Sequence, residues 1–181
     1  ISYCKGGGIK ILGGAIRNFQ ITGNDIEYNY DLEAKESADI WFDLREGSVA
    51  EGTISSNTIQ AVPSPGGANI RFIGPERPEQ RGLMGLWSIS GNLIGSQEVN
   101  IHLKNSRGIA ISGNHIYSGK ERNIRIEESR HIVIGANSLD QSHNYRGGFK
   151  NGITLRDCDG ISVQGLVLDR AQSCLLYTSD A

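Results

Sequence analysis

The sequence predicts an all-β solenoid, in which the chain winds into stacked coils of short strands. Three observations support this fold class: one short motif recurs six times, a second motif recurs in phase with it, and glycine is abundant. The chain has 24 glycines against 4 prolines, which indicates many tight turns between short segments. A helical solenoid would need apolar residues at 3.6-residue spacing, and the sequence lacks that spacing.

The first motif reads aliphatic, any residue, small residue, Asn, any residue, aliphatic. Its copies are Ile21–Ile26, Ile54–Ile59, Ile89–Ile94, Ile111–Ile116, Ile134–Leu139 and the degenerate Val163–Leu168. Because asparagine tolerates the left-handed backbone of a sharp corner, each copy predicts a strand, a corner and the start of another strand. The sequence therefore predicts a stacked asparagine ladder of Asn24, Asn57, Asn92, Asn114 and Asn137, which Leu166 interrupts in the last copy.

The second motif alternates an apolar residue, a variable residue and an apolar residue, as a half-buried strand does. Its copies are Ile9–Ile11, Ile40–Phe42, Ile70–Phe72, Ile101–Leu103, Ile124–Ile126 and Ile153–Leu155. The step from Ile101 to Ile124 is 23 residues, and longer steps elsewhere indicate inserted loops. Two such insertions, at 73–85 and 141–150, are expected to wall a groove.

Short β segments with Gly and Asn corners at this period resemble the right-handed parallel β-helix family, also called pectate-lyase-like. The resemblance covers about residues 8–171 and implies a single domain over residues 1–173, with six to seven coils, truncated at both ends. It also implies a bacterial protein that is secreted or held at the cell surface. Residues 174–181 resemble the in-frame translation of a sequencing adapter, so we expect them to lie outside the native protein.

The variable positions of the second motif form the sharpest local feature of the chain. With the apolar positions facing inward, one outward column contains Lys10, Trp41, Arg71, His102, Arg125 and Thr154. Two residues later, a parallel column contains Leu12, Asp43, Ile73, Lys104, Glu127 and Arg156. Successive coils lie about 4.8 Å apart, which is close to the length of one sugar ring, so a glycan along the coil axis would meet one side chain per coil.

These columns predict a binding strip for an acidic polysaccharide, because arginine binds carboxylates through two hydrogen bonds and tryptophan offers a flat apolar face. The predicted substrate-binding residues are Lys10, Trp41, Arg71, His102, Lys104 and Arg125. The catalytic residues stay unassigned, with His102, Lys104 and Arg125 as candidates. Cleavage or epimerisation would need a cation to neutralise a uronate carboxylate and a base to remove the adjacent proton.

A glycosidase is disfavoured because its two carboxyl groups must lie about 5 to 9.5 Å apart. Asp43 and Glu127 are three coils apart, about 14 Å by the stacking distance. Asp39 and Asp43, predicted to share one strand face, are about 13 Å apart along the strand. Neither pair has the required separation.

The alternative to a binding strip is a solvated sheet face whose charges are balanced by neighbours, and Glu127 beside Arg156 and near Lys104 fits it. The protein would then be a non-catalytic scaffold, such as an adhesin or a phage-type glycan-recognition module.

No cofactor is identified, and calcium is implied only by the resemblance. The net charge of −2 favours neither nucleic acid nor membrane as a partner, and the oligomeric state stays open. Cys4 and Cys158 are expected to be buried apolar side chains.

Overall fold

The chain forms short strands joined by tight corners. The computed structural model describes residues 1–77, 84–140, 150, 152–169 and 176–179. Within these residues the strands are β1 (Gly7–Thr22), β2 (Asp25–Glu27), β3 (Ser37–Ser55), β4 (Thr58–Gln60), β5 (Gly67–Ile73), β6 (Met84–Ser90), β7 (Leu93–Gly95), β8 (Val99–Lys104), β9 (Arg107–Ser112), β10 (His115–Tyr117), β11 (Arg122–Glu127), β12 (Arg130–Ile134), β13 (Ser138–Asp140), β14 (Ile153–Arg156), β15 (Asp159–Val163), β16 (Val167–Leu168) and β17 (Leu176–Ser179).

Each strand pairs in parallel with the equivalent strand of the next coil, and this confirms the predicted parallel β-helix. The first face comprises β5, β8, β11, β14 and β17 with the N-terminal halves of β1 and β3. The second face comprises β6, β9, β12 and β15 with the C-terminal halves of β1 and β3. The third face comprises β2, β4, β7, β10, β13 and β16. Because β1 and β3 run unbroken around one corner, the first two faces form a single 11-stranded sheet.

The described strands form six coils and the first strand of a seventh, in agreement with the predicted number. β17 pairs with β14, placing residues 176–179 on the first face. That residues 174–181 are foreign to the native protein stays a prediction.

The core is a stack of the predicted inward residues. Ile40, Ile70 and Ile101 lie in register and are fully buried, as are their counterparts on the other faces. Phe42 and Phe72 stack with ring centroids 4.7 Å apart, and Trp87 packs against both rings. No single coil could bury this apolar surface alone, so stability depends on contacts between neighbouring coils.

The asparagine ladder is present as predicted. The Asn92 Nδ2 atom donates to Asn114 Oδ1 at 2.9 Å, and Asn114 Nδ2 donates to Asn137 Oδ1 at 2.9 Å. Each amide also donates to a core-strand carbonyl, as Asn114 does to Ile89 O. Every amide of the ladder therefore points in one direction, from each coil to the next.

A second polar ladder, which the sequence analysis missed, lies at the corner where the first face begins. It consists of the residues immediately before four of the six inward isoleucines of the second motif, namely Asp39, Asn69, Asn100 and Asn123. All four side chains are fully buried. The prediction that Asp39 shares an exposed face with Asp43 is therefore wrong, because Asp39 turns inward at the corner.

Asp39 reverses the direction of hydrogen bonding in its part of this second ladder. Asn100 Nδ2 donates to Asn123 Oδ1 at 2.8 Å, from one coil to the next, as in the first ladder. Asn69 Nδ2 instead donates backwards to Asp39 Oδ2 at 2.9 Å, because a carboxylate offers no proton. Asn69 Oδ1 is consequently buried without a hydrogen-bond partner.

The burial of Asp39 raises its pKa from 3.8 to about 7, even though donors from Asn69 and Asn29 oppose the shift. Glu27 is the neighbouring charged group that adds to the increase. Below pH 4 both folded and unfolded chains carry a protonated Asp39, so stability is unaffected. Between pH 4 and 7 the unfolded chain loses this proton first, so stability falls as the pH rises.

We expect Asp39→Asn to stabilise the protein above pH 7, by on the order of 4 kcal/mol from the size of the pKa shift. An asparagine here can donate to Asn69 Oδ1 once the Asn69 amide rotates, which would give this pair the direction of the first ladder. Urea unfolding midpoints at pH 4 and pH 8 measure the effect, which should be small at pH 4.

Asp43→Asn is the matched control, because its expected effect on stability at pH 8 has the opposite sign. Hydrogen bonds from Arg45 lower the pKa of Asp43, so this carboxylate stabilises the fold above its ordinary pKa and the contribution disappears in acid. Asp43→Asn should therefore lower the midpoint at pH 8. A lower midpoint for Asp39→Asn at pH 8 would contradict the account of the second ladder.

We expect Asn114→Ala to destabilise the protein by about 2 to 4 kcal/mol, because it removes the acceptor of the buried Asn92 backbone N–H and the amide that donates to Ile89 O and Asn137 Oδ1. Asn24→Ala is the control, since Asn24 ends the first ladder in the described coils and its Nδ2 donates only to Thr22 and Asn57. Urea unfolding should show the larger loss for Asn114→Ala, and equal losses would argue against the ladder as a main source of stability.

Candidate functional site

The predicted outward column exists in the predicted register. Lys10 pairs with Trp41, Trp41 with Arg71, and Arg71 with His102. The column continues through Arg125 to Thr154. Parallel strands place equivalent residues in neighbouring coils beside one another, so these six side chains form one row across the first face.

The middle of the row is recessed, which differs from the open ribbon that the sequence analysis expected. Trp41 is 7% exposed, Arg71 3% and His102 9%. Lys10 is exposed and Arg125 is half-buried. The row is thus a buried floor flanked by two more accessible cations.

Trp41 is held between the two cations of the adjacent coils. Lys10 Nζ lies 4.2 Å from the centroid of the indole, and Arg71 Cζ lies 5.2 Å from it. Both contacts are cation–π interactions that hold the ring in place. The indole therefore has little free face for sugar stacking, but its buried Nε1 has no hydrogen-bond partner.

Arg71 is a buried guanidinium with unused hydrogen-bond donors. Its Nη2 donates to Gly66 O, while Nε and Nη1 are buried without partners. The nearest carboxylate oxygen is Glu36 Oε1, 3.6 Å from Nη1, and that side chain is 51% exposed. Burial lowers the pKa of Arg71, Glu36 opposes this shift, and the positive charge of Arg125 adds to it. An anionic ligand would relieve both the unused donors and the unbalanced charge.

His102 is bonded to a carboxylate of the next coil. Its Nε2 lies 2.8 Å from Glu127 Oε2, and Arg156 Nη2 lies 2.6 Å from Glu127 Oε1. Burial lowers the pKa of His102, although the bond to Glu127 opposes it. The bond from His102 in turn lowers the pKa of Glu127. The pair is thus a neutral imidazole with a carboxylate, so Nε2 carries the proton and Nδ1 keeps a basic lone pair.

The second column is largely neutralised by its own neighbours. Asp43 is paired with Arg45, at 2.8 Å from Arg45 Nε, and Lys104 lies 3.4 Å from Glu128. Lys104 therefore balances Glu128 rather than Glu127, against the sequence-based interpretation. Among the residues that the structure describes, Arg125 has no ion pair, so the row retains positive charge that the second column does not cancel.

A groove lies beside the row at the insertion that follows β5. Leu12, Gly13, Asp43, Arg45 and Glu46 line a depression of about 440 Å³, and a neighbouring one reaches Pro75. Pro75 belongs to the 73–85 insertion that was expected to wall a groove, and residues 78–83 of that insertion lie outside the described residues. Gly47 allows the first two coils to meet there, since a Cβ atom would lie 2.5 Å from Gly14 O. The other predicted wall, at 141–150, lies outside the described residues except for Lys150.

The fold and the row define the class of this chain, a right-handed parallel β-helix protein with a donor-rich first face. The chain belongs to the family described as periplasmic copper-binding protein (NosD), whose model matches residues 87–180. The match includes His102, Arg125, Glu127 and Arg156. The family's description as periplasmic agrees with an extracytoplasmic bacterial location. Comparisons with curated proteins and with solved structures give no match.

The described residues do not fit a copper centre. They contain no group of three or more His, Cys, Asp or Glu side chains arranged to hold a metal ion. His102 Nε2 is taken by Glu127, and Met84 is fully buried in the core.

Cys4 is exposed and Cys158 half-buried, so the expectation that both are buried is wrong, because each lies near an end of the described stack. The described part of the chain also includes no helix capable of spanning a membrane.

We expect Glu127→Gln to lower the pKa of His102, because Glu127 is the group that holds a proton on this buried imidazole. Imidazole ¹⁵N shifts should report the Nε2–H tautomer in the unmodified protein. Glu128→Gln is the control, since Glu128 contacts Lys104 and is absent from the groups that shift His102. Identical His102 titration in the protein and in Glu127→Gln would refute the pairing.

Proposed function

We propose that this protein binds an acidic polysaccharide along the row Lys10, Trp41, Arg71, His102 and Arg125. The observation that carries the proposal is the positive charge of the row, because Lys10 is exposed, Arg125 is half-buried and neither forms an ion pair with a described residue. Beneath them, Trp41 Nε1 and Arg71 Nε and Nη1 are buried donors without hydrogen-bond partners. Positive charge favours an anion, and a uronate supplies one carboxylate per sugar.

The direction of the row favours a polymer over a small acid. The five side chains come from five successive coils, so the row extends about 19 Å at 4.8 Å per coil. A chain of sugars lying parallel to the coil axis would contact every coil. The family's location outside the cytoplasm is in line with such a ligand.

His102 is a candidate base for chemistry on this ligand, because its Nδ1 lone pair is free while Glu127 and Arg156 hold the ring through Nε2. Nδ1 would take the C5 proton of a uronate, and the C–H electron pair would pass into the carboxylate, stabilised by Arg71 or Arg125. The C4–O bond then breaks and the departing oxygen takes the proton from Nδ1 of His102, or C5 accepts a proton from water on its other face. The first course cleaves the polymer and the second epimerises it.

Binding is tested by calorimetric titration with oligomers of galacturonate, oligomers of mannuronate and a neutral glucan. We expect Arg125→Ala to weaken acidic-oligomer binding about 10- to 100-fold, as the loss of a charge-assisted hydrogen bond does. Arg130→Ala is the matched control, since it removes the same charge from an exposed position on the second face. Equal losses in both variants, or no binding of any acidic oligomer, would overturn the proposal.

The chemical step has its own readouts, absorbance near 235 nm for an unsaturated product and deuterium incorporation at C5 in heavy water. Either signal should disappear in His102→Gln and persist in Glu128→Gln. Binding without either signal would mean that the row belongs to a non-catalytic glycan-recognition module. Copper titration of the same protein tests the function in the family's description, and stoichiometric copper uptake that competes with the glycan would argue against a glycan site.

A further inference from the structure

Cations and rings alternate along the row. In coil order the side chains are Lys10, Trp41, Arg71, His102 and Arg125, so the three cations occupy the first, third and fifth coils. The two intervening coils contribute an indole and a neutral imidazole. The cations are therefore spaced two coils apart, at about 9.6 Å.

The neighbouring column contributes one cation to a gap between these charges, Lys104 in the fourth coil, and Lys104 is paired with Glu128 at 3.4 Å. Asp43 is paired with Arg45, and Glu127 is shared by His102 and Arg156. Lys10 and Arg125 form no ion pair with any residue that the structure describes, and Arg71 has only the 3.6 Å approach of Glu36. The positive charge presented to a ligand therefore has the two-coil period of the row itself.

A 1,4-linked pyranose advances its polymer by about the same distance as one coil, about 4.8 Å. A cation on every second coil thus corresponds to a carboxylate on every second sugar. Two kinds of polymer meet this condition, namely an alternating copolymer of a uronate with a neutral sugar, and a two-fold ribbon of uronates whose same-side carboxylates recur at every second ring.

Resting on the binding proposed above, we propose that the row selects polysaccharides that present one carboxylate to the protein for every second sugar. Trp41 then lies opposite a sugar whose carboxylate is absent or turned away, and His102 lies between the two carboxylates that Arg71 and Arg125 bind. Specificity arises from the spacing of charge along the ligand rather than from its total charge. A carboxylate directly opposite the Trp41 indole or the His102 imidazole would have no cation of its own to bind.

The test compares affinities for octasaccharides of equal length by calorimetry at physiological salt. An alternating uronate–N-acetylhexosamine oligomer should bind within about threefold of a mannuronate oligomer, despite carrying half the charge. A fully sulfated oligomer and a short polyglutamate, with denser or differently spaced charge, should bind at least tenfold more weakly. If the mannuronate oligomer alone binds, the ligand is the two-fold ribbon of uronates. If the alternating oligomer also binds tightly, the ligands of the row include the alternating copolymer.

A swap variant tests the spacing from the protein side. His102→Arg with Arg125→His keeps composition and moves one cation to the adjacent coil. We expect at least a tenfold loss of affinity for the alternating oligomer, and a cooperative urea transition verifies that the variant is folded. If the swap does not fold, the octasaccharide comparison on the unmodified protein decides alone. Affinity that follows total charge overturns this inference while leaving the binding proposal intact, and absence of binding to every acidic oligomer overturns both.

Discussion

Register between neighbouring coils is the constraint on which the rest of this structure depends. Parallel pairing brings each residue beside its equivalent in the next coil, so a repeat in sequence becomes a column in space. The asparagine ladder locks that register, because the amides of Asn57, Asn92 and Asn114 each bond both to the next amide and to a core-strand carbonyl. A slip of one residue in any coil would break the ladder, reverse the buried face and divide the row of the first face.

Much of the fold could be predicted because the sequence repeats. The copies around Asn92 and Asn114 specify a corner, and the copies around Ile101 and Ile124 specify an inward column, so their stacking follows directly. The second ladder was also present in the sequence, as a polar residue before four successive inward isoleucines. It was missed because strict alternation assigns Asp39 to the outer surface, whereas the chain turns a corner there and directs that side chain inward.

The candidate site was only partly predictable, because side-chain contacts between columns do not follow from register. The order of the row was correct, but the placement of Trp41 between two cations and the depth of Arg71 depend on rotamers and on covering segments. Glu127 was expected to balance Arg156 and Lys104. It does pair with Arg156, but its other oxygen reaches diagonally to His102 rather than to Lys104, a contact that a repeat pattern does not encode. That diagonal bond defines which imidazole nitrogen is free, and hence which atom is available for proton transfer.

The unbroken pairing of β1 with β3 gives the molecule a gradient of mechanical strength. These strands hold one another at positions from Gly7 to Thr22, around a full corner of the solenoid. At the other end β16 pairs with β13 only through Val167 and Leu168, and both side chains are largely exposed. A chain pulled from its two ends should therefore detach β17 and then β16 first, and keep the pairing of β1 with β3 longest. Within the row, Lys10 and Trp41 would then keep their positions after Arg125 had lost its own.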